Sequence, residues 1–213
     1  NRSPSRLFDL LQEKTSNLES AGISGLSTAI HAATALSNKH QSLATIVATT
    51  GTIGGQSPTG QAWWQSTVTA SGSFAAQGLK DLTTLYNTIS KTEQDPPDLG
   101  ITTQTVYEAY EATMRGFARF DVMRDSKIDP TVAKGGLAFK GQTLFWDENT
   151  ISGVYYMLNT EYVFLAVFRD ANFALGGMQM PVNQFYRTWL MEWNGTMACL
   201  NRARQGKLTG LTA

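Results

Sequence analysis

The stretch that most constrains the fold of this chain lies near its C-terminal end. The odd positions there are apolar apart from one arginine: Phe185, Arg187, Trp189, Met191 and Trp193. A period of two is typical of a strand that buries one face. Each aromatic side chain can bury about 150 to 250 Å², so this face requires a broad partner. The pattern predicts a strand with Trp189 and Trp193 in the core, packed against a helix.

The partner helix is predicted at the start of the chain. A serine and a proline at positions 3 and 4 suit the cap and the first turn of a helix. Apolar residues follow on one side at Leu7, Leu11 and Leu18, with polar residues opposite. Two glycines, Gly22 and Gly25, are expected to interrupt the helix after about residue 20. Leu7, Leu11 and Leu18 are therefore predicted core residues.

The composition excludes several classes of function. Lysine plus arginine and aspartate plus glutamate number 17 each, so no net charge draws the 213-residue chain onto nucleic acid or anionic lipid. Cys199 is the sole cysteine, which rules out an intramolecular disulfide and paired-cysteine metal sites. No apolar run reaches the roughly 18 to 20 residues that cross a bilayer. We expect no sequence-specific nucleic acid, no membrane, no metal and no cofactor.

The middle of the chain mixes helical and strand patterns. Apolar residues recur at helical spacing within Phe74–Ser90, and this predicts a helix. A capping-box spacing at Thr105 begins a second helix, in which Tyr107 and Tyr110 share one face. Between the two helices, Leu99–Ile101 is predicted to be a short strand.

Further strands are predicted after these helices. Leu137–Trp146 reads as a strand pair bent at Gly141. Val154–Leu158 and Tyr162–Phe168 are two more apolar stretches, and we expect all of them to be antiparallel neighbours. With the helices, these strands predict an α+β fold.

Two irregular stretches are predicted to form contacts between subunits. Thr49–Gly60 contains four glycines and a proline, which is typical of a long loop, and the pair Trp63 and Trp64 follows it. Residues 117–130 are predicted to form a charged surface loop. Its candidate contact residues are Arg119, Asp121 and Arg124. Aromatic residues beside long loops favour a protein whose edges are covered by other copies of itself.

Signals for catalysis are weak. His31 and His40 stand nine positions apart with no other ligand type close by, and we interpret each as an ordinary surface or satisfied histidine. Asp147 and Glu148 follow a predicted strand, where carboxylates often cap a turn. A small hydrolase that uses one of these carboxylates is kept as the enzymatic alternative.

A series of ordered segments resembles the major capsid protein of tailed bacteriophages, with the HK97-like capsid fold. The resemblance runs from about residue 7 to the end and depends on the order of the segments rather than on any one of them. In chain order these segments are Phe8–Lys14, Thr49–Gly55, Ala62–Trp64, Pro97–Gln104, Tyr107–Tyr110, Phe139–Gly141, Leu158–Thr160 and Asn201–Leu211.

The resemblance implies a shell subunit with two domains. Residues 1–45 would form a peripheral domain with a long spine helix on a β-sheet, and residues 46–175 an axial domain with a central β-sheet flanked by helices. Residues 176–213 would return to complete the peripheral domain and its sheet. Copies would assemble as hexamers and pentamers into an icosahedral head, with scaffolding and portal proteins as partners. The protein would reside in the virion and, during assembly, in the host cytoplasm.

Two features of the family have no counterpart in this sequence. Family members carry an N-terminal arm and an extended loop ahead of the spine helix, so we expect the chain to be part of a longer protein. Cross-linking known in some relatives uses that loop and is not implied here. The structural alternatives are an encapsulin-type compartment shell and another virion protein. No catalysis is implied by the resemblance.

Overall fold

The computed structural model describes residues 4–34, 40–90, 95–115, 137–180, 182–183 and 187–213 and shows an α+β architecture. Its four α-helices are α1 (Pro4–Ile30), α2 (Leu43–Ile46), α3 (Leu79–Ser90) and α4 (Gln104–Arg115). A π-helical turn, Phe74–Gly78, leads into α3. Three short 3-10 turns are present at Ala62–Trp64, Arg169–Ala171 and Arg202–Arg204.

Within the described residues, ten strands form three sheets. The strands are β1 (Thr67–Ala70), β2 (Leu99–Thr102), β3 (Ala138–Phe139), β4 (Gln142–Trp146), β5 (Tyr155–Leu158), β6 (Val163–Val167), β7 (Ala174–Leu175), β8 (Met191–Glu192), β9 (Gly195–Cys199) and β10 (Gly206–Thr209). The main sheet has six strands in the order β1-β10-β5-β2-β4-β3, and β6-β9 and β7-β8 are separate two-stranded ribbons.

The main sheet is mixed, which corrects the expectation of antiparallel neighbours. β4 pairs with β3 in an antiparallel hairpin, but its other neighbour, β2, runs parallel to it. β5 lies between β2 and β10 and is antiparallel to both. β6 leaves this sheet and pairs with β9 instead. Sequence neighbours need not pair when α4 separates β2 from β4 and allows a parallel crossover.

One core lies between the main sheet and helices α3 and α4. Alternation along β5 turns Tyr155 and Met157 towards these helices, and both are fully buried. The helices contribute an apolar face at the spacing predicted from sequence, namely Leu82, Leu85, Ile89, Val106 and Tyr110. The predicted helices within 74–90 and after Thr105 are confirmed.

A second core lies on the opposite face of the sheet. There Tyr156 and Leu158 of β5 pack with Leu43, Ile46 and Val47 in and after α2. β5 is thus buried on both faces, unlike an outer strand that alternates between buried and exposed positions. The six-stranded sheet separates two apolar layers, and β5 is common to both.

Arg202 connects this second core to the following loop. Its side chain is fully buried, and its guanidinium donates hydrogen bonds of 2.8 to 3.2 Å to five backbone carbonyls. These carbonyls belong to Thr45, Ile46, Ala48, Thr50 and Gly51. Carbonyls at the end of α2 carry partial negative charge, so the cation is stabilised by dipoles rather than by a carboxylate.

Residues that follow Arg202 in the sequence form hydrogen bonds with the ends of other helices and strands. Arg204 Nη1 donates to the carbonyls of Ile89 and Ser90, at 3.3 and 3.0 Å, and so caps the end of α3. The buried Gln205 side chain accepts from the Asn159 backbone N–H at 2.8 Å and fixes the turn after β5. Segment 201–210 therefore holds α2, α3 and β5 in place by polar contacts.

The last strand of the chain belongs to the main sheet, where β10 lies between β1 and β5. That residues 176–213 complete a peripheral domain and its sheet stays a prediction. β8 and β9 are the strands of this region that remain outside the main sheet. The pairing follows from the buried face of β10, where Leu208 is fully buried against α3 and α4.

Helix α1 is longer than predicted. It continues through Gly22 and Gly25 to Ile30, where the sequence suggested an interruption. A Cβ at Gly22 would lie 2.9 Å from the Phe173 ring, so the small residue permits close packing of the helix on that ring. Tertiary packing offsets the helix-breaking tendency of glycine, which costs about 1 kcal/mol per residue.

The aromatic closing stretch is not one buried strand, and this prediction is wrong. Met191 and Glu192 alone form β8, and Thr188 makes an isolated bridge to Gln179. Trp189 is 37% exposed, and Leu18 of α1 is 38% exposed, so neither side chain is a core residue of the single chain.

The other predicted core residues are placed differently. Trp193 is half-buried, with its ring 5.7 Å from the His40 ring and 6.5 Å from the Phe173 ring. The side chains of Leu7 and Leu11 lie outside what the structure describes. The hairpin bent at Gly141 is confirmed, because Lys140 and Gly141 both have positive φ, as a tight two-residue turn requires.

We predict that Arg202→Ala lowers the free energy of unfolding by at least about 3 kcal/mol, because several buried carbonyls lose their donor. The matched control is Arg204→Ala in the same turn, because the Arg204 side chain is partly exposed and binds two carbonyls. This variant should lower the free energy of unfolding by about 1 kcal/mol. Urea denaturation measures both. Equal losses for the two variants would contradict a special role for Arg202.

Candidate assembly surfaces

The tryptophan pair lies on a turn that follows the glycine-rich loop. Trp63 is 66% exposed, Trp64 is half-buried, and their rings meet edge to face at 5.8 Å. Gln65 donates from its side chain to the Thr49 carbonyl at 3.0 Å and ties the turn to the start of the loop. Arg202 holds the same loop through Gly51. The exposed Trp63 ring is therefore presented on a fixed support.

The charged residues that the sequence analysis singled out cannot be placed beside this pair. Arg119, Asp121 and Arg124 lie outside the described residues. Their role as subunit contacts stays a prediction.

A groove of about 700 Å³ runs along one side of α1. The helix contributes Leu18 and Gly25, and the opposite wall includes Phe173, Met191 and Trp193. Two predicted core residues, Leu18 and Trp193, thus line the same groove. The helix and the closing stretch meet through the second half of the helix, and Trp189 is not part of the lining.

A second groove, of about 420 Å³, follows another face of α1, and Leu26 lines both grooves. It is bounded by Ile23 and Ile30 of the helix, by Ile101 of β2 and by Phe164 of β6. Ile23 is 60% exposed at its rim. Two adjoining faces of α1 therefore line apolar grooves, and large exposed apolar patches are rare on monomeric proteins.

Sequence reasoning missed the largest set of exposed apolar side chains. They follow β6 and the ribbons around it, and comprise Phe164, Leu165, Phe168, Leu175, Met178, Met180, Val182, Leu190 and Leu200. The available signal was the unbroken apolar run Val163–Phe168, which is typical of a strand covered on both faces. In the single chain the middle of this strand is exposed.

The buried ionisable groups in this region are structural. Burial raises the pKa of the Cys199 thiol to about 11, against smaller opposing effects of the Asn201 backbone and Arg202. The thiol is protonated at neutral pH and is a poor nucleophile. Burial lowers the pKa of Lys207, whose ammonium lies 5.9 Å from the Tyr156 ring centre and donates to the Ala44 carbonyl.

The carboxylates considered for a hydrolase lie on the turn after β4. Asp147 accepts the Asn149 backbone N–H at 2.8 Å and so caps its own turn, and its other oxygen is 3.9 Å from His31 Nε2. Glu148 is exposed. Both buried histidines, His31 and His40, have neighbours in the fold, with Thr150 3.3 Å from His31 and Trp193 beside His40.

The described ranges also bear on membrane crossing and metal binding. None of the helices there combines the length and apolar character that a bilayer crossing demands. Within the same ranges, no group of three acidic, histidine or cysteine side chains is arranged to hold a metal ion. The features of these ranges that stand out are apolar surfaces.

Comparison with known proteins identifies the fold. No protein-family model and no curated protein matches the chain. Among solved structures, it is similar to a chain of the cyanophage A-1(L) capsid asymmetric unit, with a TM-score of 0.53 and 15% identity over 77% of this chain and 55% of that chain. The chain has a phage capsid fold.

A second capsid structure contains the phage G major capsid proteins gp27 and decoration proteins gp26. It aligns with a TM-score of 0.39 and 14% identity, over 68% of this chain and 51% of the other, and adds no weight to the assignment. The chain thus spans about half the length of the capsid chains that it matches.

A pair of glycine substitutions tests the packing of α1 in the capsid fold. Gly25→Ala should raise the free energy of unfolding by about 0.5 to 1 kcal/mol, because alanine favours the helix and no atom lies within 4 Å of the new Cβ. Gly22→Ala should lose this gain, because its Cβ would meet the Phe173 ring. Thermal denaturation distinguishes them, and an equal gain for both would show that α1 does not pack on Phe173.

Proposed function

We propose that this chain is a structural subunit of an icosahedral phage head shell that assembles as hexamers and pentamers and encloses the genome. The observation that carries the proposal is the similarity of its fold to a chain of the cyanophage capsid. A fold by itself does not decide a function, so the surfaces of the molecule have to agree with it.

The apolar surfaces support assembly. Large exposed side chains occur on α1, on β6 and on the closing ribbon, with Ile23, Phe164 and Leu190 as examples. An isolated soluble protein rarely exposes several such surfaces, whereas contacts between copies would remove them from water. The balanced charge of 17 basic and 17 acidic residues adds no strong repulsion between copies.

The strand pairing favours a particular version of the two-domain description. We assign α1 and the ribbons β6-β9 and β7-β8 to the peripheral domain, with α1 as its spine helix. The six-stranded sheet with α3 and α4 is then the axial domain. These boundaries differ from 1–45, 46–175 and 176–213, because β6 and β7 pair with β9 and β8 while β10 pairs with β1 and β5.

The shell role brings further proposals. Scaffolding and portal proteins would be partners during assembly in the host cytoplasm, and the mature location would be the virion head. The role needs no catalysis. The contacts of Asp147 support this view, since its carboxylate is engaged in a turn that anchors α1.

The assembly test uses the full-length gene product, expressed with its scaffolding protein and examined by negative-stain electron microscopy and sedimentation. We expect closed icosahedral particles. Full-length protein that stays monomeric under all assembly conditions would refute the shell role. Particles that form in the absence of phage partners and enclose a protein cargo would instead favour an encapsulin-type compartment.

A substitution test addresses the hydrolase alternative. Asp147→Asn combined with Glu148→Gln should leave particle formation intact, because Glu148 is exposed on a turn and asparagine at position 147 keeps an oxygen that can accept the Asn149 backbone N–H. If a hydrolytic turnover is measured for the wild-type protein and is lost in this double variant while particles still form, the structural role is not the whole function.

A final prediction concerns the tryptophan pair. Trp63→Ala should change the unfolding free energy by less than about 1 kcal/mol, because the ring is mostly exposed, yet it should lower the yield of particles. Lys80→Ala, which removes an exposed side chain on α3, is the control and should leave the yield unchanged. An unaltered yield for Trp63→Ala would remove this residue from the subunit contacts.

A further inference from the structure

The end of α1 is joined to the turn after β4 by a cluster of polar side chains. The Asn149 side chain donates to the Ser27 hydroxyl at 3.1 Å, and the Thr28 hydroxyl lies 3.3 Å from the Asn149 side-chain oxygen. Immediately after the helix, Nδ1 of His31 lies 3.3 Å from the Thr150 hydroxyl. We call this cluster the α1 latch, comprising Ser27, Thr28, His31, Asp147, Asn149 and Thr150.

His31 is the titratable centre of the α1 latch. It is 7% exposed, and its Nε2 lies 3.9 Å from an Asp147 carboxylate oxygen, beyond hydrogen-bond distance. Burial lowers the pKa of His31, and the Asp147 carboxylate opposes this shift with a smaller effect. In the folded chain, with α1 packed on the turn after β4, the neutral form of the imidazole is therefore favoured more strongly than it would be for a histidine exposed to water.

Other elements around His31 bring little charge to it. α1 carries no Asp, Glu, Lys or Arg after Glu19, and α2, β2 and β6 contain none at all. Glu148 is the exposed neighbour of Asp147 on the turn. On the same face of the sheet, burial raises the pKa of Tyr156 to about 12, so its hydroxyl is neutral near pH 7, and Lys207 is engaged by the Ala44 carbonyl.

We propose that the α1 latch is a pH-dependent device that docks the C-terminal half of α1 onto the body of the chain near neutral pH and releases it when His31 takes up a proton. The device lies within one chain and does not rest on the proposed shell role. Both apolar grooves have α1 as one wall, so release would open both of them.

The direction of the effect follows from proton linkage. In the released state, His31 has the ordinary histidine pKa of about 6.5, whereas the docked state has a lower pKa. The released state binds the proton more tightly, so docking is fully favoured above about pH 6.5 and weakens as the pH falls towards the docked pKa. From pH 7.5 to 5.5 the equilibrium constant for release rises by at most about tenfold.

Hydrogen exchange on the isolated chain tests the latch. Protection factors for residues 24–31, corrected for the intrinsic pH dependence of exchange, should fall up to about tenfold between pH 7.5 and 5.5. Residues 79–90 of α3 serve as the internal reference and should stay constant. His31→Gln, which cannot take up the proton, should remove the fall, and the matched control His40→Gln should retain it.

Asp147→Asn tests the sign. Without the carboxylate, burial acts on His31 unopposed and lowers its docked pKa further. The fall in protection should therefore still begin near pH 6.5 but continue to a lower pH before it levels off. The proposal is overturned if wild-type and His31→Gln protein have the same pH profile, or if His40→Gln abolishes the effect. Should His31→Gln fail to fold, NMR titration of the His31 ring in the wild-type protein decides: an apparent pKa of 6.5 or above overturns the proposal.

Discussion

The buried guanidinium of Arg202 is the interaction on which most of the fold depends. A cation in an apolar core is costly unless every N–H is satisfied. Arg202 meets most of this requirement with five carbonyls from a single stretch of backbone, from Thr45 to Gly51: Nε and Nη1 donate to one each, and Nη2 lies within hydrogen-bond distance of three. These bonds hold the loop against the buried cation. The exposed Trp63 turn is built on that loop.

The residues that follow Arg202 make similar polar contacts with other parts of the molecule. Arg204 caps α3, Gln205 fixes the turn after β5, and Lys207 contacts the Ala44 carbonyl of α2. Strand β10 then enters the main sheet between β1 and β5, where Leu208 belongs to the core beneath α3 and α4. Because these contacts are long-range in sequence, the last residues of the chain complete both cores.

The elements outside the main sheet are less completely covered than β5. Strand β5 of the main sheet is buried on both faces, but α1, β6 and the β7-β8 ribbon have apolar side chains in contact with solvent. α1 is attached to the body by a small polar cluster and lines two apolar grooves. A rigid centre with incompletely covered edges suits a subunit whose apolar surfaces are covered in an assembly. It also leaves α1 as the element whose docking can respond to pH.

The sequence by itself determined α3, α4, the hairpin at Gly141 and the α+β class, because local spacing and turn chemistry are sufficient for these elements. It also indicated the exposed Trp63 pair and the apolar run of β6. Only the tertiary structure decided the length of α1, the exposure of Trp189 and the sheet that β10 joins. Alternation along a strand shows that one face is apolar, but not which layer covers it. The free-energy cost of a glycine at position 22 in the helix is likewise a small local effect. It is outweighed by the contact with Phe173, which lies 151 residues away along the chain.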